Sequence, residues 1–86
     1  LAYRVRIEKQ ASKALEKIDV VIRKRIVEVI RSLADNPKPP GSKKMKNREG
    51  WRVRIGDYRV IYGVNDERSF VSVAKIGHRR EVYRES

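Results

Sequence analysis

Gly56-Asp57 stands between two strand-like runs, Trp51-Arg52-Val53-Arg54-Ile55 before it and Tyr58-Arg59-Val60-Ile61-Tyr62-Gly63-Val64 after it. A two-residue connection opening on glycine suits a type II′ hairpin, because glycine takes a positive φ at the first central position at no steric cost. A turn of that kind fixes register. Ile55 is predicted to face Tyr58, Arg54 to face Arg59 and Val53 to face Val60. Strand side chains alternate between faces, so Trp51, Val53, Ile55, Tyr58 and Val60 share one side while Arg52, Arg54 and Arg59 share the other. The hairpin therefore has an apolar side to bury and a cationic side.

The remaining segments can supply the cover. Ala2-Tyr3-Arg4-Val5-Arg6-Ile7 alternates apolar and basic residues and reads as a half-buried strand. From Glu8 the period lengthens: Ala11, Ala14, Leu15 and Ile18 make the stripe of a short amphipathic helix. Asp19 is a candidate N-cap for a second helix carrying Ile22, Ile26, Val29, Ile30 and Leu33, which Asn36-Pro37 brings to an end. Residues 37–50, with Pro39, Pro40, Gly41 and Gly50, read as an exposed connection anchored only at Met45. Phe70 to Ile76 is a last strand, reached through Asn65-Asp66-Glu67-Arg68, and no regular structure is assigned to the charged tail from Gly77 to Ser86. The expected fold is α+β and one domain over residues 1–86: an N-terminal strand, a two-helix hairpin and a three-stranded antiparallel meander in one four-stranded sheet, helices on one face.

A chain of this length has a thin core and no cysteine to staple it. Without cysteines, a signal-like run or a membrane-length apolar stretch, a reducing cytoplasmic location is expected and a membrane is not. The formal charge is +11, from 22 Lys and Arg against 11 Asp and Glu. So large an excess suits a polyanionic partner, nucleic acid first, although a merely well-solvated basic surface would show the same composition.

Arg54 directly across from Arg59 sharpens the choice, since like charges facing each other on a ladder are unfavourable. Either Arg52, Arg54 and Arg59 splay into water, or they hold an anion. Three arginines favour the second reading, because the guanidinium fork grips phosphate oxygens in pairs. The tail adds His78, Arg79, Arg80 and Tyr83 directly after the last strand, where a meander returns the chain towards Arg54 and Arg59. Lys43, Lys44, Lys46 and Arg48 in the connection suit non-specific phosphate contacts, and a solvated loop explains them almost as well.

The runs from Trp51-Arg52-Val53-Arg54 through Gly56-Asp57-Tyr58-Arg59-Val60-Ile61-Tyr62, and Ile76-Gly77-His78-Arg79-Arg80-Glu81-Val82-Tyr83, resemble the strand and tail signatures of RelE toxins of the RelE/ParE superfamily. The resemblance implies a toxin of a type II toxin-antitoxin module, an endoribonuclease that cuts messenger RNA on the ribosome and is restrained by a wrapping antitoxin. It places Arg52, Arg54, Arg59, Arg79 and Tyr83 at catalytic positions, and His78 and Arg80 with the loop cations at RNA-binding ones. No metal or other cofactor is implied. Related ParE-type chains poison DNA gyrase instead, and commonly lack the basic and tyrosine set of the tail.

In that chemistry a 2′-hydroxyl attacks the neighbouring phosphate, and prepositioned cations, Arg59 and Arg79 foremost, neutralise the charge that develops. Arg52 and Arg54 orient the backbone. Arginine does not titrate at neutral pH, so proton transfer falls to Tyr83, whose phenolate the surrounding charge favours, or to His78. Tyr83 could alternatively stack on a base. A gyrase inhibitor and a non-catalytic RNA- and antitoxin-binding module are the competing readings.

Overall fold

The computed structural model describes residues 2–46 and 49–82. The chain runs β1 (Arg4–Ile7), α1 (Lys9–Glu16), α2 (Val20–Ser32), β2 (Lys43–Lys44), β3 (Trp51–Ile55), β4 (Tyr58–Asn65) and β5 (Phe70–His78). One sheet of five strands, in the order β1-β5-β4-β3-β2, replaces the expected four. The added strand is β2, inside the segment read as a bare connection. Lys43 pairs with Arg52 and Lys44 with Trp51 on the outer edge of β3. Two residues carry no periodicity that a sequence could display. β1 lies parallel to β5, Arg4 opposite Phe70 through Ile7 opposite Val73, so the sheet is mixed.

Both helices form where their apolar stripes predict. Asp19 caps α2, its carboxylate accepting from the Val21 amide at 3.2 Å. Ala11, Leu15, Ile18, Ile26, Ile30 and Leu33 meet Val53, Ile55, Val60, Tyr62, Val71, Val73 and Ile76 in one buried cluster. Each fully buried aliphatic side chain there contributes roughly 1.5–3 kcal/mol. The β3–β4 register is as predicted, Ile55 to Tyr58, Arg54 to Arg59 and Val53 to Val60, and Gly56 turns at φ +59.

Between β4 and β5 the pairing slips at Ile61/Tyr62: Ile61 faces Lys75 while Tyr62 faces Val73, leaving Ala74 as an extra residue. That bulge resets the alternation, which is how Val71, Val73 and Ile76 all reach the helix side despite the odd spacing of the last two. Ile61 does not join the cluster. It faces the other way and is nonetheless 5% exposed.

The connection before β3 is tied down at more points than Met45. The buried Tyr62 hydroxyl donates to the Pro37 carbonyl at 2.8 Å, and its burial raises the phenol pKa. The Lys38 ammonium lies 5.4 Å from the Trp51 ring centroid and 3.2 Å from the Asp66 carboxylate, which also accepts from the Tyr3 hydroxyl at 2.7 Å. The Tyr3 bond, then Lys38, hold the Asp66 carboxyl below its ordinary range. A pKa depressed on folding adds stability that is present above the unfolded value and lost as pH falls through the folded one. Asp66→Asn is therefore expected to lower the melting temperature at neutral pH, with the gap to wild type closing as the pH drops through the carboxylate range. A gap that stays constant across thermal melts at descending pH would contradict this role.

Candidate functional site

The face opposite the helices carries the cations. By register, Lys43, Arg52, Ile61 and Lys75 form one row across the sheet, and Arg54, Arg59 and Gly77 form the next. Lys75, passed over in the sequence, reaches this face only because the bulge at Ala74 resets the alternation that Val71 and Val73 begin. A two-residue turn closes on a hydrogen-bonded pair, so Arg54 and Arg59, one step further, form a non-hydrogen-bonded pair with Cα atoms roughly 4.5 Å apart. Their side chains leave the sheet together.

They do not end in the same environment. Arg54 is exposed and Arg52 half-buried, but Arg59 is only 7% exposed. Its Nη1 donates to the carbonyls of Tyr58 at 3.2 Å and Gly56 at 3.4 Å, while its Nε is buried without a partner. Leaving a buried donor unmatched costs about 1–3 kcal/mol. The reading in which all three arginines splay into water thus fails for Arg59. Among the described residues no carboxylate forms an ion pair with Arg52, Arg54 or Arg59.

The tail closes over this end of the sheet. His78 pairs with Tyr58, their rings edge to face with centroids 5.6 Å apart. The Arg79 amide then donates to the Asp57 carbonyl at 2.7 Å, and the Arg79 Nε lies 4.0 Å from the Asp57 carboxylate, bringing a fourth guanidinium to the β3–β4 turn. Residues 79–82 form a turn whose Glu81 and Val82 amides donate to the His78 carbonyl. Val82 is 6% exposed, and a Cβ at Gly77 would lie 3.6 Å from its Cβ. Val82, Gly77 and Ile61 give the cationic face an apolar patch that sequence periodicity did not reveal.

The Arg80 amide donates to His78 Nδ1 at 3.2 Å. A neutral His78 ring with Nδ1 so engaged carries its proton on Nε2, and presents a donor rather than an acceptor. Arg80 is exposed beside it. Lys43 shares the arginine face, whereas Lys44 faces away by alternation and Lys46 follows in the connection, all three exposed. Arg48 and Tyr83 lie outside the described residues. The structure thus brings Arg52, Arg54 and Arg59 to one face, with Arg79 at the turn and Lys43 at the edge, whereas His78, opposite Tyr58, lies on the helix side.

Comparison with known proteins agrees with this geometry. A family model described as the ParE toxin of the type II toxin-antitoxin system parDE matches residues 5–83. A curated relative from Methanocaldococcus jannaschii, named as a RelE1 toxin, is 31% identical over 98% of this chain and 98% of its own length. Among solved structures, the archaeal RelE-RelB complex from Pyrococcus horikoshii OT3 contains a chain 32% identical, with a TM-score of 0.83 over 94% of this chain and 99% of that one. The toxin-antitoxin complex RelBE2 from Mycobacterium tuberculosis contains another, 28% identical, with a TM-score of 0.81 over 92% and 100%. Two helices against a mixed sheet, the hairpin arginines and matches that span nearly the whole length place this chain in the RelE/ParE family of type II toxin-antitoxin toxins.

Proposed function

We propose that this toxin is an endoribonuclease that cuts messenger RNA on the ribosome, without a cofactor, by attack of a ribose 2′-oxygen on the adjacent phosphorus. The observation that carries the reading is the pairing of Arg54 with Arg59 across the hairpin, with Arg79 drawn to the turn between their strands. Guanidinium groups gathered with a single carboxylate among them, the exposed Asp57 beside Arg79, suit a phosphate whose charge rises during reaction.

In the step proposed, the 2′-oxygen bonds to phosphorus as its proton passes to a base, and the bond from phosphorus to the 5′-oxygen breaks. The 5′-oxygen takes up a proton, leaving a 2′,3′-cyclic phosphate and a free 5′-hydroxyl. Arg54 and Arg79, the accessible guanidiniums, hold the non-bridging oxygens. Arg59, buried at the base of the cluster, adds its charge from beneath them. Arg52 and Lys43 steer the strand along the face, and Lys44, Lys46, Arg48 and Arg80 add non-specific attraction. Because His78 pairs with Tyr58 on the helix side and its Nδ1 is engaged by the Arg80 amide, the ring is poorly placed to take the 2′-proton. That role is assigned to Tyr83 on the family resemblance.

Relatives of this chain have been crystallised with RelB antitoxins. A RelB-type antitoxin, presenting an acidic or amphipathic segment to a surface of net charge +11, is the proposed partner here. Action in the cytoplasm follows from a ribosomal target. The family model's description names ParE, which supports gyrase inhibition as the second reading. Purified protein added to ribosomes programmed with a defined message, and in parallel to gyrase with plasmid, separates the two. Cut message with unimpaired supercoiling is expected, and trapped DNA breaks with intact message would replace this reading with the second.

A further inference from the structure

Beside the arginine cluster the sheet carries a hollow of about 570 Å³. We propose that it is a base-reading subsite in which Glu8 selects guanine in the RNA strand whose phosphate the arginines hold. The proposal rests on the RNA-cleaving reading above and specifies what that site reads.

The floor of the hollow includes Ile61, Gly63, Ser72 and Ala74, small residues apart from Ile61. A Cβ at Gly63 would meet nothing within 4 Å, so a planar ring can lie close to the strand there. Ile61 is directly opposite Arg52, and Gly63 is four residues along β4 from Arg59, roughly 13 Å at the rise of a strand. A strand of RNA held at Arg59 reaches the hollow within one or two nucleotides.

Glu8 supplies the selectivity. It stands at the N-cap position of α1, yet its side chain makes no capping bond. Its Oε2 instead accepts from the Ser72 hydroxyl at 2.7 Å, which pins the carboxylate over the floor. Among the described residues no Lys or Arg forms an ion pair with it, although the chain has twice as many cationic side chains as acidic ones. Lys38 and Asp66, also on the wall, are paired with each other. Of the remaining charged residues that line it, Glu8 and Glu49 outnumber Lys44, so the hollow favours a neutral group rich in donors over a phosphate.

Guanine is the RNA base with two adjacent donors, N1–H and N2–H, on its Watson–Crick edge, and in single-stranded RNA that edge is open. The carboxylate accepts both. Adenine and cytosine each set an acceptor nitrogen beside their donor, and uracil flanks its donor with two carbonyls. Each would place an unmatched acceptor against the carboxylate, the arrangement that discriminates most strongly.

The test measures binding of fluorescent 2′-O-methyl oligouridines, which cannot be cut, each carrying one guanine, adenine or cytosine, against oligouridine itself at fixed salt. Wild type is expected to bind the guanine-containing strand about tenfold or more tightly than the others. Glu8→Gln should bring the four within about twofold, and Ser72→Ala should fall between. Equal binding by wild type, or a guanine preference untouched in Glu8→Gln, would overturn the proposal, as would a Glu8→Gln protein that loses antitoxin affinity with its base preference intact. If a Glu8-dependent preference is found but programmed ribosomes keep their message whole, the cleavage reading falls and the subsite stands. Cleavage without such a preference removes the subsite and leaves the cleavage reading in place.

Discussion

Arg79→Ala is expected to lower the rate of message cleavage on programmed ribosomes by about 10²–10³, the usual effect of deleting one donor aimed at developing charge. The fold should survive the change. The Arg79 side chain is half exposed and its ion pair with Asp57 spans 4.0 Å in solvent, a contact of the kind that contributes about 0–1 kcal/mol. The backbone bond from the Arg79 amide to Asp57 persists whatever the side chain. Arg79→Lys should recover only part of the activity, because an ammonium supplies charge without the paired donors of the fork. Single-turnover cleavage rates with circular dichroism melts check both statements. An Arg79→Ala protein that melts like wild type and cuts within threefold of it would remove Arg79 from the chemistry.

The largest expected effect on stability lies at Ile26. This residue is fully buried at the centre of α2's inward stripe, within the cluster that joins both helices to the sheet. Ile26→Ala removes three carbons from a site that cannot collapse freely, and is expected to cost about 2–5 kcal/mol. Domains of this size are stable by only about 5–15 kcal/mol, so the variant should lose a large share of its margin. Urea unfolding should show the midpoint falling with little change in slope. A loss below about 1 kcal/mol would mean that α2 is not the keystone that its burial implies.

Local signals that agreed with one another made much of this fold legible. Gly56-Asp57 set the register of β3 against β4, and the position of Arg54 across from Arg59 followed from that turn alone. Asp19 and the stripes at three- and four-residue spacing placed both helices. What escaped had no local signal. β2 consists of two lysines whose strand character comes entirely from the edge they join. The bulge at Ala74 was masked because Val71, Val73 and Ile76 read as one strand only when phase is ignored.

The candidate site was legible as residue types and as a face, less so as an environment. Alternation put Arg52, Arg54 and Arg59 on one side, but gave no sign that Arg59 would be covered. Across the ladder from it, Gly77 has Val82 folded back against it, a contact made by a tail with no regular period. The same fold-back carries the Arg80 amide to His78 Nδ1, a bond that changes which proton the ring can offer. Glu8 read as the start of a helix, and only the sheet places Ser72 within its reach.

The central claim is that a ribose oxygen, driven by clustered guanidinium groups, breaks the RNA chain. Its most direct test is the chemistry of the ends left on a defined message after incubation with purified protein and ribosomes. A 2′,3′-cyclic phosphate on the upstream fragment and a 5′-hydroxyl on the downstream one are predicted, both disappearing when the message carries a 2′-deoxyribose at the cut nucleotide. A 3′-hydroxyl with a 5′-phosphate, or cutting undiminished by the deoxy substitution, would contradict it.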